Sequence, residues 1–413
     1  MTTAPARVAT LDVIRGVAVM GILLMNIVAF GMPQAAYMNP AAFGGHGAID
    51  YGMWAVNFVL VDGKMRGLFS FLFGASMLLV IERAEAKGEN PVRVHYARMS
   101  WLFVFGLAHL YLIWWGDILN HYALIGALAY PFRRMPPYKL VIAAVILIAL
   151  ETLLTSTMIV DIARAQAAVA AHTADAATLR QYHGYIESFG RPDAAFLTRD
   201  IAAHRGGYAA LFFNRLPEAA SSPIQSLLFI GMETLGYMLL GMACFKTGML
   251  RGAWPRARYR TGLAIGFGIG IPAYVVLLLV QWHSGFDAWH VALGAITLST
   301  AFRPLMIIGW TCLIILLARP GGALTERLAA AGRMAFSNYL GTSLICSSLF
   351  YGYGAGLYGQ LSRAELYLVV AGIWAAMLLW SKPWLAHFRY GPFEWLWRSL
   401  ARGKLQPMRG AAV

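Results

Sequence analysis

The sequence at residues 16–31, GVAVMGILLMNIVAFG, contains sixteen consecutive residues without a charge. Arg15 lies immediately before this run, and many further apolar runs follow it. A bilayer-spanning helix needs about 17–25 largely apolar residues, whereas a secretory signal ends at a small-residue cleavage site. The stretch Gln34-Ala35-Ala36 resembles such a site, but the preceding charges and the later runs favour a retained helix. Residues 16–31 therefore predict the first transmembrane helix of a polytopic protein.

The composition of the 413-residue chain excludes an ordinary soluble globule. Hydrophobic residues make up 59%, charged residues only 13%, and the mean hydropathy is +0.60. The net charge is +14, from 33 Lys/Arg against 19 Asp/Glu. Most of this excess lies in short segments between apolar runs, which indicates membrane topology and not nucleic-acid binding. We therefore expect membrane lipids as partners and no nucleic acid.

Apolar runs long enough to cross the bilayer predict an all-α, polytopic membrane protein of about ten transmembrane helices. The runs lie at 16–31, 67–81, 99–115, 118–132, 138–159, 223–245, 261–281, 304–318, 334–350 and 365–381. With a cytoplasmic N-terminus, the inner segments contain 23 of the 33 Lys/Arg. This distribution predicts that both termini are cytoplasmic.

The runs divide the chain into four parts. Residues 1–159 and 223–381 form two five-helix membrane halves, 160–222 form a small helical periplasmic cap, and 382–413 form a cytoplasmic amphipathic tail. The stretch 289–318 is too long for one span and contains Arg303-Pro304, where we expect a break. Arg303 is expected near the outer interface, paired with a lipid headgroup or with Asp287. Lys64 is expected to snorkel to water.

Two pairs of polar residues share a spacing that suggests a ligand site. His109 follows Arg98 by eleven residues, and Asn26 follows Arg15 by eleven. Eleven helical residues rise about 16 Å and turn about 1100°, so each pair shares a face. The two faces outline a slot for a ligand with an anionic head and a deeper reactive end, such as acetyl-CoA or another acyl-CoA. Alternatively, the arginines mark the membrane boundary, and the Asn and His bond between helices.

Further candidates extend this slot. Asp117 would cap the fourth helix or orient a histidine, and His109 or His121 would act as the general base. Arg333 is a third candidate for the phosphates, and Asn338 either joins it or bonds between helices. The chain has no Cys/His spacing typical of zinc, so we expect no metal.

Several ordered motifs identify a family resemblance. They are Leu-Asp-x-x-Arg-Gly at 11–16 followed by GILLMN at 21–26, LFSFLFG at 68–74, GDIL at 116–119, GRMA at 332–335 and GPFEWLWR at 391–398. Together they resemble the YeiB family of bacterial inner-membrane proteins, nearly end to end.

The first half is also similar, more distantly, to transmembrane acyltransferases that include heparan-alpha-glucosaminide N-acetyltransferase. The shared residues are Asp12, Arg15, Gly16 and Asn26. The resemblance implies transfer of an acetyl group from cytoplasmic acetyl-CoA to an acceptor across the membrane, by a homodimer. Those enzymes carry a catalytic histidine soon after the Asn, whereas the nearest histidine here is His46. Either His109 has taken that role or the chemistry differs.

The leading hypothesis is therefore an acyltransferase acting on a small-molecule, lipid or glycan acceptor. Arg15, Arg98 and Arg333 hold the phosphates, Asn26 positions the thioester and His109 is the base. The rivals are a transporter or exporter of a small amphiphile, and a non-catalytic membrane scaffold.

Overall fold

The computed structural model describes residues 9–45 and 47–409, and within them the chain is all-α apart from one isolated bridge. The α-helices are α1 (Ala9–Gly31), α2 (Ala35–Met38), α3 (Ala48–Val56), α4 (Lys64–Ala86), α5 (Pro91–Leu112), α6 (Leu119–Ala129), α7 (Pro137–Ala170), α8 (Ala176–Phe189), α9 (Ala194–His204), α10 (Tyr208–Lys246), α11 (Arg256–His283), α12 (Ala288–Ala292), α13 (Ser299–Leu317), α14 (Ala323–Arg333), α15 (Ala335–Phe350), α16 (Arg363–His387) and α17 (Pro392–Arg402). The predicted all-α class is confirmed.

Seven helical segments of the described chain are long and apolar enough to cross a membrane. They are Thr10–Gly31, Ala48–Ala86, Pro137–Ala170, Ala219–Lys246, Arg256–His283, Ala288–Leu317 and Arg363–His387. Seven of the ten predicted spans lie within these segments. The other three fall on α5, α6 and α15, which are shorter or more polar, and their crossing of the membrane stays a prediction.

Helix α1 is the centre of the bundle. In its most apolar stretch of 18 residues 78% are buried, whereas the corresponding share for α11 is 22%. It packs on α4, α14, α15 and α16. Glycines permit its closest approach to α14, because a Cβ on Gly16 would lie 2.0 Å from the Leu328 carbonyl oxygen and one on Gly332 1.9 Å from the Asp12 carbonyl oxygen. Two of the family motifs are therefore opposite sides of one tight helix contact.

The expected break at Arg303-Pro304 is wrong. Residues 288–317 form a continuous helical segment through Pro304, and the irregularity is a π-helical stretch at Leu293–Leu298. A second π-helical stretch, Asn57–Val61, follows α3. Arg303 does not pair with Asp287, which caps α12 and contacts His290; Arg303 is buried against Glu233. The apolar pattern did not reveal this π-helical stretch, because a π-helical turn adds one residue to the helix without changing its apolar composition.

The segment predicted as a cap, 160–222, is helical, although the two membrane helices that flank it extend into the segment. Helix α7 continues to Ala170, α10 begins at Tyr208, and α8 and α9 lie between them. Asn39 anchors the segment to the bundle, since its Nδ2 donates to the carbonyls of Phe189, Gly190 and Phe286 at 2.8–2.9 Å.

The C-terminal tail forms the predicted amphipathic helix, α17, and this helix is docked on the bundle. Trp397 Nε1 donates to the Arg98 carbonyl at 2.9 Å. The Glu394 carboxyl accepts from the backbone N–H groups of Phe336 and Ser337 at 2.7 and 3.1 Å. These N–H groups are the free donors of the first turn of α15, where a negative group is favoured. The tail helix therefore packs on α5 and α15.

Candidate functional site

A cavity of about 450 Å³ opens between α1, α4, α5, α14, α15 and the tail, and we call it the arginine cavity. Its described lining includes six arginines: Arg15, Arg83, Arg98, Arg333, Arg389 and Arg398. Two carboxyl groups, Asp12 and Glu394, also line it. The three arginines selected from the sequence thus line one cavity, and cations exceed carboxylates there by four.

The arginines are held by partners that leave a cationic surface. Arg15 Nη1 donates to Asp12 Oδ1 at 3.1 Å, and its Nη2 donates to Ser76 Oγ at 2.7 Å. The Arg98 guanidinium lies over the Trp397 ring, 3.9 Å from its centroid. Fixed guanidinium groups suit phosphate, which they bind through paired hydrogen bonds.

The tail contributes two of the six arginines at this cationic end, Arg389 and Arg398. Arg389, Tyr390, Trp397 and Arg398 all line the cavity, and the Arg398 guanidinium lies 4.7 Å from the Tyr390 ring centroid. Burial raises the pKa of the Glu394 carboxyl and lowers the pKa of Arg398. Without residues 388–409 the arginine cavity would be open on one side.

Apart from Ser76, Gly332 and His95, whose Nε2 lies 3.0 Å from the Gly126 carbonyl oxygen, the remainder of the cavity wall is apolar and aromatic. It is lined by Leu11, Val19, Ile22, Phe69, Leu72, Phe73, Met77, Leu79, Val80, Met99, Leu102, Ile118, Leu119, Ala335, Phe336 and, at two polar tips, Tyr122 and Tyr339. An anionic cavity ligand with an apolar or extended tail would satisfy both parts of this surface.

His109 and Asp117 form a buried pair next to the cavity. Asp117 Oδ1 lies 2.8 Å from His109 Nδ1, and neither side chain is exposed. Asp117 Oδ2 accepts from the backbone N and from Nδ2 of Asn120 at 2.8 and 2.6 Å, so the carboxylate both caps α6 and orients the histidine. His109 Nε2 is buried and has no hydrogen-bond partner in the described chain. With the proton on Nδ1, Nε2 carries a lone pair, as a general base requires.

The His109 ring does not itself line the arginine cavity. It lies 5.2 Å, centroid to centroid, from the ring of Tyr339, which does. The Tyr339 side chain therefore lies between the cavity and the histidine.

Asn26 lines a second, smaller cavity of about 10 Å³, which we call the asparagine cavity. Its other lining residues are Val19, Ile22, Leu23, Phe30, Tyr339, Thr342 and Ser343. Val19, Ile22 and Tyr339 also line the arginine cavity, so the two cavities share a wall. Arg15 and Asn26 therefore line two adjoining cavities along one side of α1.

The structure does not bring His121 and Asn338 to this site. His121 is buried and its Nε2 lies 3.0 Å from Thr234 Oγ1 on α10. Asn338 Nδ2 donates to the Ala331 carbonyl at 3.0 Å, and its Oδ1 accepts from Trp380 Nε1 at 3.0 Å. The interhelical bonding considered for Asn338 is what the structure shows. His46 lies outside the described residues.

Sequence reasoning missed several lining residues. Nothing in the sequence around Ser76 or Tyr339 marks either residue as part of a site, except that each is a polar residue on an apolar helix. Arg398 lies in the GPFEWLWR motif at 391–398, which marked it as part of a distinctive segment but not as a neighbour of Arg98, about 300 positions earlier in the chain.

A separate buried charged network lies among α4, α10 and α13. Glu233 contacts Arg66 at 2.6 Å, Tyr237 Oη at 2.6 Å and Arg303. Lys64 is completely buried near it, with its Nζ over the Tyr274 ring at 3.2 Å and donating to the Phe58 carbonyl. The expectation that Lys64 reaches water is therefore wrong, because an aromatic ring and a carbonyl freed by the π-helical stretch take the place of solvent.

Comparison with known proteins shows relatives over nearly the whole chain. Residues 244–404 match a family described as protein of unknown function (DUF418). The chain is 33% identical over 401 residues to the uncharacterized protein YeiB of Escherichia coli (strain K12), covering 95% of each protein. It is 31% identical to the uncharacterized protein YxaH of Bacillus subtilis (strain 168), covering 97% of this chain and 96% of that protein. This all-helical chain, with seven helical segments suited to a membrane, belongs to the YeiB family.

Proposed function

We propose that this protein is a membrane-embedded acyltransferase that takes its acyl group from acyl-CoA bound in the arginine cavity. The observation that carries the proposal is the convergence of six arginines on a cavity with apolar walls that ends beside a buried His–Asp pair. An amphiphile with several phosphates and a reactive end would place its phosphates at the arginines, its apolar part along the wall and its reactive end beside the His–Asp pair.

Charge favours coenzyme A over a ligand with one phosphate. The 3′-phosphate and diphosphate of CoA carry about four negative charges near neutral pH, since a phosphomonoester contributes about −1.5 to −2. The arginine cavity offers six arginines against two carboxyl groups, an excess of four. Both carboxyl groups are engaged within the protein, Asp12 with Arg15 and Glu394 with the N-terminus of α15.

The His109–Asp117 pair supplies the base for transfer. Asp117 holds the proton on Nδ1, so Nε2 accepts the proton of the acceptor as its nucleophilic atom bonds to the thioester carbonyl carbon. The C–S bond then breaks, and the proton passes to the sulfur, giving the acylated acceptor and free CoA. Tyr339 must rotate for His109 to reach the substrates.

The proposal includes a topology. The arginine cavity faces the cytoplasm, where acyl-CoA is found, both termini lie on that side of the bacterial inner membrane, and α5, α6 and α15 complete ten spans. The acceptor approaches from the opposite side. A helix break at Arg303 was one of the features that favoured transport, and the helix is continuous there.

The test is release of CoA from acetyl-CoA by the purified protein in vesicles of native bacterial lipid supplemented with a cell-envelope extract. We expect the wild type to release CoA and transfer labelled acetate. His109→Gln should lose at least ~100-fold in rate while it still binds acetyl-CoA, because general-base catalysis contributes roughly 10²–10⁴-fold.

The control is His283→Gln, which changes an exposed histidine at the end of α11. We expect this variant to keep the wild-type rate. Wild-type turnover in His109→Gln would overturn the catalytic assignment, and acetyl-CoA binding without any transfer would overturn the acyltransferase.

A further inference from the structure

The asparagine cavity is suited to a small, neutral, hydrogen-bonding group. Asn26 makes no side-chain hydrogen bond within the described chain, so its amide is available to a ligand. The Thr342 hydroxyl donates to the Asn338 carbonyl at 2.7 Å, and the Ser343 hydroxyl donates to the Tyr339 carbonyl at 3.2 Å. Both hydroxyl oxygens retain lone pairs for a donor in the cavity.

The cavity is also small and uncharged. Its volume of about 10 Å³ is close to that of a single water-sized group. Among the described residues that line it, none is charged. Asp117, on the histidine side, is already engaged by His109 and Asn120.

The asparagine cavity adjoins the place where the donor's acyl group would lie. It shares Val19, Ile22 and Tyr339 with the arginine cavity, and the Tyr339 ring contacts His109. The wall shared by the two cavities therefore lies between a group held by Asn26 and the thioester of the donor. The Tyr339 ring lies between that group and His109, the proposed base.

Building on the proposed function, we infer that the acceptor is an alcohol whose hydroxyl occupies the asparagine cavity, so that the product is an ester and not an amide. A hydroxyl can donate to Asn26 Oδ1 or to the Ser343 oxygen and accept from Asn26 Nδ2. A primary amine arrives as an ammonium ion, which would lose its hydration in this cavity without meeting a carboxylate.

The reaction balances without a further reactant. Once Tyr339 has rotated away from His109, the hydroxyl oxygen bonds to the thioester carbonyl carbon, its proton moves to His109 Nε2, the C–S bond breaks, and the proton passes to the CoA sulfur. The products are an acyl ester and CoA thiol.

The experiment uses the full-length protein in native-lipid vesicles with envelope extract and acetyl-CoA labelled in the acetyl group. Alkaline hydroxylamine releases acetate from oxygen esters and leaves amides intact. We expect the wild-type product to be released, and a hydroxylamine-resistant product would overturn the inference while leaving the acyltransferase in place. Binding of acetyl-CoA without labelled product would overturn both.

A matched pair of variants tests the cavity itself. Asn26→Asp places a carboxylate in the cavity, so we expect ester formation to fall roughly tenfold or more and a hydroxylamine-resistant product to appear when an alkylamine is added. Asn57→Asp makes the same change in a different small cavity, beside Tyr37 and Asp62, and should keep wild-type ester formation. Wild-type ester formation by Asn26→Asp, or an equal loss in both variants, would contradict the inference.

Discussion

Replacing Glu233 by Gln should destabilise the protein strongly, because this side chain neutralises two buried arginines. The Glu233 side chain is 1% exposed, and those of Arg66 and Arg303 are 17% and 8% exposed. Removing one partner of a buried ion pair costs about 3–5 kcal/mol, since the remaining charge stays buried without compensation. Glutamine keeps an acceptor oxygen for one of its present donors, so we expect about 3 kcal/mol, at the lower end of that range.

The assay is the thermal unfolding midpoint in one detergent, compared with that of Glu326→Gln. Glu326 pairs with Lys382 at 2.7 Å, but both side chains are about half exposed, so this control should leave the midpoint unchanged. Adding Arg303→Gln to Glu233→Gln should recover part of the loss, because one unpaired charge is removed. A midpoint for Glu233→Gln equal to that of the control would refute the buried network.

Three further variants test the packing, the docking of the tail and the histidine pair. Gly332→Val should lower the unfolding midpoint markedly, because a Cβ there meets the Asp12 carbonyl oxygen at 1.9 Å; an unchanged midpoint would contradict the close α1–α14 contact. Burial raises the pKa of Glu394 above its ordinary 4.5, so the folded state binds this proton more tightly than the unfolded state does. The wild type should therefore lose stability relative to Glu394→Gln as the pH rises above about 4.5, as measured by midpoints across a pH series, and a gain would reverse this sign. Asp117→Asn should slow acetyl transfer at least ~10-fold with acetyl-CoA affinity unchanged, since it removes the partner that fixes the His109 tautomer; an unchanged rate would exclude that role.

The sequence was sufficient to predict the all-α class, the seven helical segments suited to a membrane and three of the six arginines that line the cavity. Apolar length and the Lys/Arg distribution are local properties, and the eleven-residue spacing of Arg15 and Asn26 follows directly from helical geometry. The capping of α6 by Asp117 was also accessible, because capping joins residues close in the chain.

Other features of the site depend on contacts between distant segments, which no local pattern records. Trp397 reaches Arg98 across about 300 residues, and Glu394 reaches the start of α15 across 57. His121 and Asn338 were sensible candidates as buried polar residues, but their partners, Thr234 and Trp380, are supplied by other helices.

The measurement that tests the central claim most directly is the affinity of acetyl-CoA for the purified protein at fixed ionic strength, by calorimetric titration. We expect saturable binding that weakens at least roughly tenfold in Arg15→Gln and in Arg98→Gln, since a charge-assisted hydrogen bond is worth about 1.5–3 kcal/mol. Arg319→Gln, which changes an exposed arginine that does not line the cavity, should bind like the wild type. Absence of binding at millimolar acetyl-CoA, or equal affinity in all three variants, would contradict the account.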